Sequence, residues 1–257
     1  MQERDDNEHV LKMRKYLCLE TFQTKAQDEE LSRYGEVLKG TFDKDRHRAK
    51  MTLNDLGGAQ EYLDWSLGGS SLLVLFGQNE PGVATQESWL SPVAVDFIKD
   101  LRDNGKTLAY YICNSSSECT VVLSAIICQL LEHNPAVLRR GDDFQYMRTQ
   151  LPRDREDGSL THPSLESLCA TLVRVIDLST SPVYIVLDRP ELCPGESEVV
   201  FINTLLSLVR DGKGCLRIFV VQRSELWNIS DNVREIDMEG INPGMFLRIH
   251  KDQHRLR

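Results

Sequence analysis

Four short apolar runs constrain this chain more than anything else in it. They are residues 72–76 (LLVLF), 107–113 (TLAYYIC), 183–187 (VYIVL) and 216–221 (LRIFVV). Each is rich in β-branched and aromatic side chains, and each is apolar at odd and even positions alike. A strand with one wet face alternates apolar with polar residues. A strand covered on both faces does not, and continuous apolar runs are the habit of parallel sheets. Between the runs lie stretches with helical spacing, marked by Val93, Phe97, Ile98 and Leu101, by Val122, Ile126, Ile127 and Leu130, by Leu168, Leu172, Val175 and Ile176, and by Val200, Leu205, Leu206 and Val209. Strands alternating with amphipathic helices predict an α/β fold, a parallel sheet with helices on both faces. A weaker fifth strand is expected over residues 233–238, making a sheet of about five.

Ahead of the first run the texture is different. Residues 1–50 are highly charged, with partial helical stripes at Val10, Met13, Leu17 and Leu19 and at Leu31, Tyr34, Val37 and Leu38. Two helices joined near Thr24 are expected there, then a third over residues 54–67 that Gly68-Gly69 stops. The expected organisation is a helical extension over residues 1–67, an α/β domain over 68–240 and a basic, solvated tail over 241–257. Residues 150–161 are charged and poor in apolar side chains, as an exposed loop within the domain would be.

Charge and composition narrow the function classes. The net charge is −9, the wrong sign for a broad nucleic-acid surface. No apolar run approaches the roughly 18 residues that a bilayer requires, and the first ten residues (MQERDDNEHV) lack the pattern of a secretory signal. A cytoplasmic or nuclear protein is expected. The seven cysteines are odd in number and show no Cys-x-x-Cys spacing. They read as reduced thiols, mostly of the core, and no metal site is expected.

In open α/β sheets, ligands bind beyond the carboxyl ends of the strands. After the first run stands Gly77-Gln-Asn-Glu-Pro-Gly82-Val83-Ala84-Thr85. The two glycines have the spacing of a phosphate-cradling G-x-x-x-x-G-K-[ST] loop. The lysine that would meet the β- and γ-phosphates is Val83, and the hydroxyl that would hold magnesium is Ala84, with Thr85 one step on. Each lost charge-assisted hydrogen bond is worth about 1.5–3 kcal/mol, and Glu80 adds a repelling charge. Ser91-Pro92 reads as an N-cap followed by proline at the first helical position, so the next helix is expected to start there rather than at the loop. A helix from Val83 kinked at Pro92 is the alternative.

The third run ends at Asp188, the position that holds magnesium in a P-loop enzyme; its other reading is a cap or turn residue. Glu191 stands where a base could be imagined, but Leu192 fills the neighbouring slot. The fourth run ends at Gln222-Arg223, and Arg223 reads as a γ-phosphate sensor or as an ion-pair partner for Asp188 or Glu191.

The order of these pieces resembles the NACHT domains of fungal STAND proteins, relatives of the NOD-like receptors. The likeness runs from about Cys18 to about Asn228. It rests on Cys18-Leu19, Gly40-Thr41-Phe42, a tryptophan helix around Trp65, the degenerate loop at Gly77–Gly82, and residues 183–193 (VYIVLDRPELC), where the family's Walker B strand reads like VYIVLDALDEC. Aligned so, the family's Gly-Lys-Ser/Thr becomes Gly82-Val83-Ala84 and its catalytic glutamate becomes Leu192. The resemblance thus implies a pseudo-NTPase with no catalytic residue. Gly77, Gly82, Thr85, Asp188 and Arg223 would be what remains of its nucleotide site.

The expected function is protein binding, as a scaffold subunit of an intracellular complex, with no cofactor; a domain that holds ATP or GTP without hydrolysing it is the alternative. Homo-oligomers are compatible with the resemblance. The candidate partner surfaces are the N-terminal helices, whose other role would be to cover their own sheet, and the 78–90 loop with Trp89.

Overall fold

A run that is apolar at every position must be buried on both sides, and Leu72, Leu73, Val74 and Leu75 all have no solvent exposure. The protein is described by a computed structural model covering residues 2–20, 23–42, 53–77, 87–151, 163–193, 198–222 and 244–248. Helices α1 (Gln2–Tyr16), α2 (Thr24–Phe42), α3 (Leu53–Leu56) and α4 (Gln60–Leu67) precede the first strand, β1 (Ser71–Phe76). Then come α5 (Ser91–Asp103), β2 (Thr107–Ile112), α6 (Cys119–His133), a 3-10 turn, α7 (Gly141–Gln150), α8 (Leu165–Asp177) and β3 (Val183–Asp188). A second 3-10 turn, α9 (Glu198–Asp211), β4 (Leu216–Gln222) and β5 (Gly244–Arg248) complete the order.

The five strands form one parallel sheet in the order β2-β3-β4-β1-β5. Successive residues of β1 to β4 serve opposite cores. Leu72 and Val74, Val183, Ile185 and Leu187, and Leu216, Ile218 and Val220 belong to one apolar cluster, together with the buried faces of α1, α6, α8 and α9. Leu73 and Leu75, Tyr184 and Val186, and Phe219 and Val221 belong to the other, with α2, α4 and α5. Period-two side chains and two helical layers explain why the runs are continuous. On the second face, Trp65 of α4 meets Phe97, Tyr184 and Phe219 with ring centroids 5.8–6.4 Å away. Its indole N–H donates to the Ser71 carbonyl at 3.2 Å.

The sheet, its helical layers and the N-terminal extension are as the sequence predicts. Several details differ. The stripe of α2 runs Leu31, Gly35, Leu38 and Phe42, with Val37 half exposed. Gly40-Thr41-Phe42 forms its last residues. The expected helix over 54–67 is broken at Gly57–Ala59 into α3 and α4. Residues 244–248, assigned to a basic tail, form β5 against β1; three apolar residues in a charged stretch hid a strand whose hydrogen bonds come from its neighbour. The strand expected over 233–238 and most of the 150–161 loop lie outside the described residues. Cys113 and Cys128 are buried and Cys169 and Cys215 half-buried, and no disulfide links the cysteines among the described residues. No described helix is long and apolar enough to cross a membrane, and no described cluster of His, Cys, Asp or Glu could hold a metal.

Candidate functional site

β1, β3 and β4 end side by side, and their last backbone groups tie the crevice together. The Gly77 N–H donates to the Gln222 carbonyl at 3.3 Å, the Arg189 N–H to Val221 at 2.7 Å, and the Cys113 N–H to Asp188 at 2.9 Å. Gly77 and Asp188 are therefore brought to one edge, as their places at strand ends require. Gly82, Val83, Ala84, Thr85 and Arg223 lie outside the described residues.

At the centre of this edge is Asp188, which solvent does not reach. Each carboxylate oxygen accepts a hydroxyl: Ser91 Oγ donates to Oδ1 at 2.9 Å and Tyr34 Oη to Oδ2 at 2.9 Å. Arg189 Nε stands 3.7 Å from Oδ2, and its guanidinium lies 5.2 Å from the Tyr34 ring centroid. Burial pushes the Asp188 carboxyl up to about 6, against the opposing pull of Arg189 and the two hydroxyls. Burial, and then the charge of Asp188, also raise the Tyr34 phenol. Desolvation outweighs the partners because one nearby cation and two neutral donors do not replace a full hydration shell.

The sequence fixes these positions locally. Ser88 Oγ accepts the Leu90 N–H at 3.2 Å, and the Ser88 carbonyl accepts the Ser91 N–H at 3.0 Å, forming a tight turn before α5. Proline in the first turn then favours the helix start. Residues 87–90 are not helical, which excludes one unbroken helix from Val83. The N-cap is Leu90, without a side-chain cap. Ser91, expected as that cap, is the first helical residue, and its hydroxyl is turned to Asp188. The positive end of the α5 dipole thus faces the buried carboxylate.

After Asp188 the chain turns sharply. Arg189 has φ +56° and ψ +49°, a left-handed conformation that costs an L-residue roughly 1–2 kcal/mol. A 3-10 turn over Pro190–Leu192 follows, with Glu191 and Leu192 half-buried in it. Trp89, read as an exposed contact, is 5% exposed and packs in the α5-side core; the Ser88 turn tucks it inward. The N-terminal helices likewise cover their own sheet.

Tyr34 and Arg189 were not singled out for this site from the sequence. Tyr34 sits on an apolar stripe, and no local signal says that its hydroxyl reaches a residue 154 positions away. In this conformation Asp188 is an enclosed hydrogen-bond acceptor. Each of its oxygens accepts one hydroxyl and neither meets solvent.

An open parallel sheet in this order, with a glycine just after β1 and an acid closing β3 on the far side of β4, is a P-loop NTPase-like arrangement. Residues 52–223 match the family model "Nephrocystin 3, N-terminal", and the chain belongs to that family. Among curated proteins none matches. Of solved structures, a chain in Drosophila ORC bound to poly(dA/dT) DNA and Cdc6 is similar at 10% identity and a TM-score of 0.40. The likeness covers 86% of this chain and only 30% of that one.

Proposed function

We propose that this chain is a catalytically inactive, NACHT-like pseudo-NTPase that works by binding other proteins, as a scaffold subunit of an intracellular complex. The observation that carries the reading is the state of Asp188: the one acidic group at the end of β3 is sealed from solvent with both oxygens engaged by Tyr34 and Ser91. The residue types at Val83, Ala84 and Leu192 support it, since none supplies the charge, hydroxyl or base that phosphoryl transfer uses. The likeness to fungal STAND proteins is part of the same reading.

Equilibrium binding of a fluorescent ATP analogue, with and without magnesium, tests it together with steady-state hydrolysis of ATP and GTP. The expected result is no binding at high micromolar concentration and no turnover. Val83→Lys alone is expected to leave turnover absent, because Ala84 and Leu192 remain. Hydrolysis by the unmodified chain would overturn the proposal, and magnesium-dependent binding without hydrolysis would replace it with a domain that holds a nucleotide.

A further inference from the structure

Helix α2 precedes the sheet and lies outside residues 52–223, the span that carries the family match. Yet it supplies the hydroxyl that closes Asp188. Its attachment is uneven along its length. Leu38 and Phe42, in the carboxyl-terminal half, join the α5-side core. The amino-terminal half is tied mainly by separate polar contacts, by Leu31 and by the Tyr34 ring at the edge of that core. Asp28 accepts from Arg102 at 2.6 Å and from the Tyr110 hydroxyl at 2.7 Å, and Gln27 accepts from Gln129 at 2.7 Å.

The seam beneath that half is not filled. A cleft of about 310 Å³ opens among Thr24, Asp28, Arg102, Lys106 and His133, and one of about 30 Å³ lies beside Gln27 and Tyr111. Elements with few buried apolar contacts and accessible polar ties are those that open below the global unfolding threshold.

We propose that the amino-terminal half of α2 is a cover that opens locally, latched by the hydrogen bond from Tyr34 to the enclosed Asp188, so that the carboxyl edge of the sheet has a closed and an open form. Closed, the crevice in which such sheets receive ligands is capped at Asp188 by the chain's own helix. Open, the carboxylate of Asp188 is hydrated and the ends of β3 and β4 are accessible. Tyr34 is the latch because it is the α2 side chain that reaches the enclosed carboxylate. Ser91 bonds the same carboxylate from α5 and also acts on the Tyr34 hydroxyl, so its loss should loosen α2 less than loss of that hydroxyl itself.

That contrast supplies the test, which needs no nucleotide and is independent of the pseudo-NTPase reading. Amide hydrogen exchange is followed on the full chain, on Tyr34→Phe and on Ser91→Ala. Tyr34→Phe is expected to speed exchange over residues 24–35 by about tenfold or more, the scale of one hydrogen bond to a charged group. Residues 91–103 and 183–188 should keep their rates, and Ser91→Ala should speed residues 24–35 clearly less than Tyr34→Phe does. Unchanged exchange in Tyr34→Phe, a joint rise across α2, α5 and β3, or an equal rise at α2 in Ser91→Ala would overturn the proposal. If Tyr34→Phe does not fold, the unmodified chain in low urea gives the same reading. Residues 24–35 should then exchange with a weaker urea dependence than α5, and one shared dependence would overturn it.

Discussion

Asp188 is a charge held where water does not go, and its protonation reports on that enclosure. An aspartate ordinarily titrates near 3.9 when solvated, whereas here it is pushed up to about 6 by burial. A carboxyl whose folded pKa is raised contributes stability that is complete below the unfolded pKa and is lost as pH rises through the folded one. The term therefore declines between about pH 4 and pH 6 and is flat above. Asp188→Asn removes it, since an amide can still exchange hydrogen bonds with both hydroxyls but has nothing to ionise. Urea midpoints at several pH values should show unmodified chain and variant diverging across that window, by on the order of 2–3 kcal/mol, and running parallel beyond it. Parallel behaviour throughout would mean that Asp188 is hydrated.

Asp188 was legible because an acid at the end of an apolar run is a local pattern. Its partners were not. The spacing of Leu31, Tyr34 and Leu38 says that a helix face is covered, but not that one tyrosine on it aims its hydroxyl at a strand end. Trp89 misled for the opposite reason. Its neighbours read as a polar loop, and the inward fold came from the Ser88 turn.

Among the elements, β2 is one of the two edges of the sheet, and its margin at Tyr110 is covered. An edge strand offers unpaired backbone groups to any passing strand, and here one side chain occupies that place. Gln129 of α6 accepts the Tyr110 N–H at 3.0 Å and donates to the Tyr110 carbonyl at 2.8 Å, as a neighbouring peptide would. Gln129→Leu keeps the volume and loses both bonds. It is expected to destabilise the fold by about 2–4 kcal/mol, since each unsatisfied backbone group costs about 1–3, and to cause concentration-dependent association visible by light scattering. A variant as stable and monodisperse as the original would show that water serves the strand as well. Strands β1 to β4 and the long helices were readable to within a few residues because their apolar periods are unambiguous, whereas β5 was not. α7 was not, because its sequence, GDDFQYMRTQ, carries few apolar residues, and its place is set by packing on α8 and by the Arg174–Asp143 ion pair.

As a whole, the molecule is more unified than an extension followed by a domain. Val10 and Met13 of α1, and Leu17 just after it, are buried in the same apolar cluster as β1, β3 and β4. Arg139, in the turn after α6, donates to Asp6 at 2.6 Å, which pins the far end of the helix. Met13→Ala should therefore lower the melting temperature of the entire chain by several degrees, as loss of a buried methionine side chain costs about 2–5 kcal/mol. Leu11→Ala, 60% exposed on the same helix, should leave it unchanged. A separate early transition for α1 in Met13→Ala would mean that the extension melts on its own.

The register of β1 has a consequence for how the chain is made. Ser70, at the mouth of that strand, accepts a hydrogen bond from Leu216, 146 residues later, and the strands on either side of β1 are β4 and β5, the last two of the sheet. At about 5–20 residues per second of synthesis, the most apolar strand leaves the ribosome on the order of ten seconds before anything exists to pair with it. During that interval LLVLF is a sticky segment in a crowded cell. The nascent protein should depend on chaperone capture until its final strands emerge, and slowing translation before residue 216 should lengthen that dependence.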